Sequence, residues 1–422
     1  MPLGVRDLEL YKAKWIIPVD APPIESGAIL VDAGRLVAVG EQRAVSSAAP
    51  SGTAQHDLGE AMIVPGLVNA HAHLDLTCYR GMLPAGPLFP WLDALIALRR
   101  RPGSFQAEQR SVLQGAAESL ALGVTLIGDI SRSPSTASAL ANSPIRKVCF
   151  LELISGAGQR PFDVPTLIEG LDSIQTGAIP GCLMPGVSPH SPYTVTADDL
   201  VSTLRLARER AIPSTIHYLE TVDEIEWLAG RDGAIGQFLL RVNSPNADAG
   251  PSIAAAIASP EFEVARPLLA HVNYPSDEEI TRISRSGASV VWCPRAHAYY
   301  GHREHRWRDM LAAGINVCIG TDSAACVPSM SILDELREIR RSAPEIDIGE
   351  LLRIGTLGGA AALGMAEETG SLAVGKRADF VVFESHGNTA ADSLVAMTDG
   401  AESLRAVYLD GRSVSGPAPL CE

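Results

Sequence analysis

The chain has 422 residues, with 34 Lys and Arg against 49 Asp and Glu, a formal charge of −15 before any histidine is counted. An acidic chain must build any phosphate-binding face locally, so nucleic acid is excluded as the default partner. Hydrophobic residues at 46% and charged residues at 20% exclude a disordered chain. The length allows two or three domains, or one large barrel with an appendage.

The N-terminal stretch lacks a basic region followed by an apolar core, and no apolar run approaches the roughly 18 residues of a membrane helix. Seven cysteines, odd in number and without a CxxC pair, argue against a disulfide framework and against a thiolate zinc site. The expectation is a cytoplasmic protein with no membrane partner.

In chain order, Leu8 to Val19, Gly27 to Asp32 and Arg35 to Val39 read as short strands, broken by Pro22-Pro23 and Ala33-Gly34. The far end has the same texture, with strands at Asp379 to Phe383 and Leu404 to Leu409 and a tight turn at Asp410-Gly411. Between them, apolar strand-like runs alternate with helical stretches. The runs are Ile63 to His73, Gly123 to Ile130, Arg146 to Ile154, Gly181 to His190, Ile212 to Glu220, Pro267 to Tyr274, Ala288 to His297 and Asn316 to Ser323. Eight βα units predict an α/β fold, a (β/α)8 TIM barrel whose reactive residues sit at the C-terminal strand ends. A doubly wound sheet would carry a glycine-rich phosphate turn after its first strand, and none is present. The Ala/Asp/Pro-rich stretch from Asn243 to Pro260 reads as a loop or lid.

Seven of the ten histidines fall at or just beyond these strand ends: His71, His73, His190, His217, His271, His297 and His302. Strand residues two apart share a face, so His71 and His73 in NAHAHLD form a chelating pair. His217 closes the fifth strand and Asp322 the eighth. Three imidazoles and a carboxylate suit a divalent transition metal such as zinc or iron, with a position left for water. Glu220, three residues after His217, can approach that water without ligating. Its competing reading is a solvated glutamate in the acidic run that continues through Asp223, Glu224 and Glu226.

PGLVNAHAHLD, HYLE, LAHVNY, WCPRAH, GTDS and the closing GSLAVGKRADFVVF resemble the amidohydrolase superfamily, in its branch of cytosine, guanine and adenosylhomocysteine deaminases with triazine chlorohydrolases. The resemblance runs from about Gly27 to Arg412. It implies a β-sandwich assembled from 1–62 and 366–422 beside a catalytic barrel at 63–365. It also implies one metal, with zinc preferred to iron, on His71, His73, His217 and Asp322, and catalysis by Glu220, His271 and Asp322. Bimetallic members bridge their metals with a lysine at the end of the fourth strand; GCLMPGVSPH has none, so one metal is expected. PHSPYTV resembles a segment whose histidine touches substrate, which makes His190 a pocket residue, or else a cap of the following turn.

The implied reaction is hydrolytic deamination of an aminated heterocycle such as a purine, a pterin or a nucleoside-like compound. Hydroxide attacks the amino-bearing carbon and ammonia leaves. The alternatives are displacement of chloride from a triazine-like ring, an aminodeoxyfutalosine-type deaminase, and a non-catalytic binding protein on the same fold. Nucleoside deaminases of this branch carry a glutamate before a tryptophan to grip the ribose; here Pro90 precedes Trp91, so Asp93 or another residue would have to replace it. In CPRAHAYYGHREHRWRD, Arg295, His297 and His302 are read with Trp91 as substrate contacts, and the arginines as receptors for an anionic group or as an exposed basic loop. The stretch from Ser331 to Arg341 offers a helix face to a second subunit, so a homo-oligomer is allowed.

Overall fold

The computed structural model describes residues 8–141, 143–155, 164–177, 182–231, 233–242, 244 and 246–414. Five strands come first: β1 (Glu9–Ile16), β2 (Ile24–Asp32), β3 (Arg35–Glu41), β4 (Ala54–Asp57) and β5 (Ala61–Pro65). Eight follow at the expected places: β6 (Leu67–Ala72), β7 (Val124–Ser131), β8 (Arg146–Leu153), β9 (Leu183–Pro189), β10 (Thr215–Tyr218), β11 (Leu268–His271), β12 (Val290–Trp292) and β13 (Val317–Ile319). The last are β14 (Phe380–Glu384), β15 (Leu404–Leu409) and β16 (Arg412–Ser413). Helices separate the middle strands, which makes the chain an α/β protein.

The chain divides into two units. The first comprises Met1–Asn69, Ala117–Leu126 and Ser331–Glu422, and the second Ala70–Ala116 and Ile127–Met330. In the first, the two ends of the sequence share one sheet of order β16-β15-β14-β5-β1-β2-β3, with β4 beside β1. The register Val64↔Val381 joins β5 to β14. Tyr11, Ile16, Ile29, Ile63, Phe380 and Val382 are buried in its core. The turn from β15 to β16 is made by Asp410 (φ +49°) and Gly411 (φ +75°), the left-handed pair that an Asp-Gly hairpin requires.

Two four-stranded sheets, β6-β7-β8-β9 and β10-β11-β12-β13, carry the middle strands. Within them β8 and β9, β10 and β11, β11 and β12, and β12 and β13 pair in parallel. All residues of β7 and β8 are buried, which is why these strands read as continuous apolar runs rather than alternations. Single parallel bridges, Val187↔Ser214 and Ala72↔Asp322, link one sheet to the other. The helices follow local rules: Ser276 caps Asp277–Ser286 by accepting from Glu279 N–H at 3.1 Å, and Gly287 ends it at φ +71°.

Two sequence expectations are corrected. The seventh strand stops at Trp292, not His297, because Pro294 opens a helix at Pro294–Tyr300 with its φ already helical. The stretch from Asn243 to Pro260 contains a helix at Gly250–Ile257, where Pro251 starts the turn and the alanines sustain it. Asn243 and Pro245 lie outside the described residues, as does Gly181 at the start of the expected fourth strand.

Candidate metal centre and active-site cavity

β6 delivers His71 and His73 with ring centroids 5.1 Å apart, and β10 brings His217 to 4.9 Å from His71 and 5.3 Å from His73. One ring nitrogen from each of the three lies within 4.8 Å of the others. His73 Nε2 and His217 Nε2 are 3.2 Å apart, and Asp322 Oδ1 is 3.7 Å from His73 Nε2. His217 Nδ1 sits 2.7 Å from the His190 carbonyl oxygen, so Nδ1–H donates there and the Nε2 lone pair faces the other imidazoles. Both ring nitrogens of His71 are buried without a hydrogen-bond partner. Unpartnered nitrogens are a burial cost that a shared cation removes, and this donor set fits a divalent metal.

The backbone is bent to make the cluster. Leu219 (φ +50°), His271 (φ +73°), Val272 (φ +48°) and Asp322 (φ +59°) all occupy left-handed backbone at these strand ends. Each costs on the order of 1–3 kcal/mol, sustained only where the surroundings over-determine it. Gly320 allows the eighth strand to close on the first, since a Cβ there would stand 2.5 Å from the His71 carbonyl oxygen. Asp322 N–H then donates to that carbonyl at 3.1 Å.

Burial, followed by the neighbouring His217, holds His71 and His73 well below the ordinary imidazole range. Burial also pulls His217 down to about 4. All three are therefore neutral at pH 7, the state that ligates. The carboxyls move the other way: burial pushes Asp322 up to about 7, and burial, then Asp322 and Glu224, push Glu220 well above its usual range.

Glu220 Oε1 lies 3.7 Å from His271 Nε2. Glu224, in the run that sequence alone reads as solvated, is fully buried and accepts from the N–H groups of Leu219 at 2.8 Å and Glu220 at 3.1 Å. Asn273 Nδ2 donates to the Glu220 carbonyl at 3.0 Å, and His305 Nε2 to that of His271 at 2.8 Å. These side chains open onto a cavity of about 1160 Å³, counting its mouth. His73, His217, Glu220, His271 and Asp322 line it together with His190, and Leu88, Trp91, Leu95, Phe238, Leu239 and Tyr300 make it predominantly apolar.

His190 and Trp91 stand on the cavity wall, whereas Arg295, His297 and His302 do not. The helix that begins at Pro294 carries these residues away. Arg295 donates to Ser329 Oγ at 3.0 Å and to the Ser329 carbonyl at 2.7 Å. His297 Nδ1 pairs with Asn273 Oδ1 at 3.0 Å, so it stands behind Glu220, and His302 Nδ1 pairs with Tyr274 Oη at 3.1 Å. Arg306 bonds Asp277 and Asp309 on the outside. Asp93 pairs with Arg241 at 2.8 Å and is not on the active-site cavity wall.

The model of the amidohydrolase family matches residues 62–414. The chain belongs to the amidohydrolase family. It is a hydrolase of carbon–nitrogen bonds in the family's deaminase branch. The 5-methylthioadenosine/S-adenosylhomocysteine deaminase of Moorella thermoacetica is 28% identical over 389 residues, 89% of this chain and 85% of that one. The aminofutalosine deaminase of Helicobacter pylori, solved with methylthio-coformycin, superposes with a TM-score of 0.83 at 22% identity, over 96% of this chain and all of that one. Atrazine chlorohydrolase from Arthrobacter aurescens TC1, solved with zinc, superposes with a TM-score of 0.76 at 20% identity, over 98% and 97% of the two chains.

The cavity of this amidohydrolase also has polar walls that sequence reading missed. Arg99 donates to Asp75 at 2.6 Å and to Glu108 at 3.2 Å, and Arg132 to Glu108 at 2.6 Å. Tyr79 Oη donates to Glu108 at 2.7 Å. Asp75, Arg99, Arg132 and Glu152 line the cavity. They come from a 3-10 turn, the helix Leu88–Arg99, the end of β7 and β8, and nothing in their spacing announces that they meet. The one available signal was a charged residue inside an otherwise apolar strand, Glu152 in VCFLELI.

Proposed function

We propose that this amidohydrolase deaminates an aminated heterocycle of the adenine-nucleoside type with one divalent cation held by His71, His73, His217 and Asp322. The observation that carries the reading is the convergence of three imidazoles, His71 with both ring nitrogens buried and unpartnered and His73 and His217 on the cavity wall, near Glu220 and His271. Zinc suits three imidazoles and a carboxylate, with iron the alternative.

When bound, the cation supplies the Lewis acidity that brings the pKa of water towards roughly 7. Glu220 carries the proton taken from water to the ring nitrogen beside the amino-bearing carbon. Burial, then the neighbouring Asp322 and Glu224 carboxyls, raise its pKa well above the usual carboxylate range, which suits a group that accepts a proton. His271, neutral by burial, directs Nε2 at the attacking oxygen, and Asp322 passes a proton to the departing ammonia. The apolar wall of Leu88, Trp91, Leu95, Phe238 and Leu239 excludes water from the ring.

The single bridges between the two middle sheets support one closed (β/α)8 barrel running from β6 to about 365, with the sheet of the chain ends, which also takes residues 63–65 of β5, as the β-sandwich domain built from the N-terminal segment and 366–422. No helix of the described residues is long and apolar enough to cross a membrane, and no disulfide joins the described cysteines, which suits a reducing cytoplasm.

The test is ammonia release by zinc-loaded protein from adenosine, 5′-methylthioadenosine, guanine and a pterin, with chloride release from a chlorotriazine as the contrast. One ammonia per nucleoside consumed, abolished by chelation and restored by zinc, is expected. Chloride release without ammonia would place the chain with the chlorohydrolases instead.

A further inference from the structure

Glu152 ends β8 on the cavity wall and is only 7% exposed. Among the described residues no hydrogen bond reaches its carboxylate, which stands 3.6 Å from His190 Nε2. His190 in turn lies 4.8 Å, ring to ring, from His217. A buried carboxylate without a donor is expensive unless a guest provides one. Asp75, on the same wall, has its Oδ1 buried and equally without a partner.

The charges around Glu152 say which guest. Arg99 and Arg132 line the cavity, but their guanidiniums are already paired with Asp75 and Glu108. With Glu152, two cationic groups meet three carboxylates, so this wall holds a surplus negative charge. An anionic substituent would find no unmatched cation there, whereas neutral hydroxyl groups would find acceptors that lack donors. Burial raises the Glu152 pKa above the usual carboxylate range, outweighing the pull of His217, Arg99 and Arg132.

We propose that Glu152 is a specificity-determining residue, which accepts from hydroxyl groups on the sugar of the substrate and turns away substrates that carry an anion at that end. This rests on the deaminase reading above. It also reverses the expectation, drawn from the arginines after the seventh strand, of a site built for an anionic substrate.

The experiment compares kcat/KM of the zinc-loaded enzyme for adenosine, 2′,3′-dideoxyadenosine and adenosine 5′-carboxylate. Wild type is expected to prefer adenosine at least 30-fold over the dideoxy probe and at least tenfold over the carboxylate. Glu152→Gln should shrink both preferences about tenfold, chiefly through KM, with the metal content of the protein unchanged. Glu152→Asp keeps the charge at a shorter reach and should lose the hydroxyl preference while still rejecting the carboxylate, which decides the matter if the Gln variant does not fold. Unchanged preferences in folded, metal-loaded variants would overturn the assignment of Glu152 alone. No turnover of any of the three probes by wild type would overturn the deaminase reading and this assignment with it.

Discussion

At the metal centre His71, His73 and His217 bring ring nitrogens within 4.8 Å of one another, His71 with neither of its nitrogens hydrogen-bonded, whereas Asp75, Arg99, Glu108 and Arg132 bond one another. Both are dense buried polar clusters. The first leaves its electrostatics unresolved and so calls for a cation from outside, and the second pairs its charges internally, with only Asp75 Oδ1 left open, and so serves chiefly as scaffold. Unmet hydrogen-bonding capacity, rather than polarity as such, marks where this molecule takes a guest. By the same measure Glu152, beside the resolved cluster yet bonded to no part of it, belongs with the first group.

The comparison can be broken at its strongest point by removing a histidine. His217→Ala should lower metal content below about a tenth of an equivalent and abolish turnover, while the apo protein melts within a few degrees of apo wild type, because the ring met no donor-satisfied partner on its metal side. Metal analysis with calorimetry checks both parts. His271→Asn should instead keep the metal and lose about 10²–10⁴-fold in kcat, the usual share of a positioned acid/base group.

The scaffold cluster should answer in stability. Glu108→Gln leaves Arg99 and Arg132 short of their shared counter-charge in a buried setting, a loss of about 3 kcal/mol in urea unfolding. Glu224→Gln retains one acceptor for the turn that carries Glu220, so kcat should fall about tenfold with KM held. Equal loss in both kcat and stability across all four variants would erase the distinction.

The smallest effect lies in the other unit. Burial works to raise Glu368, but the hydrogen bonds and charges of Arg35, then Arg377, outweigh it and hold the carboxyl below 4.5. A depressed carboxyl contributes stability above its unfolded pKa and loses it as pH falls through the folded value. Glu368→Gln should therefore cost less than about 1 kcal/mol at pH 7, since the pair is solvent-screened, and less at pH 3 than at pH 7. Thermal melts at the two pH values read the difference.

What the sequence disclosed divides along the same line. Strand ends set the direction of a side chain by local geometry, so the spacing His71-x-His73, the end of β10 and the position of Asp322 were enough to bring those groups together. The seventh strand overran because an apolar run does not show where it stops, and Pro294, which does, was read as part of it. The arginines after it looked like a receptor for an anion, yet Asp277, Asp309 and Ser329 occupy them, partners invisible to a local pattern. Asp75, Arg99, Glu108, Arg132 and Glu152 come from five separate elements, and only long-range packing unites them. Glu224 resembled a solvated helix start because its true partners are backbone groups of the preceding turn.

The central claim is that the clustered histidines hold a metal for which Glu220 moves the proton. It is tested most directly by measuring bound zinc and ammonia release in one preparation of Glu220→Gln beside wild type. The account predicts about one zinc per chain in both, with ammonia release from adenosine or 5′-methylthioadenosine falling at least about 10³-fold in the variant. A variant that loses its zinc, or one that keeps wild-type turnover, would contradict it.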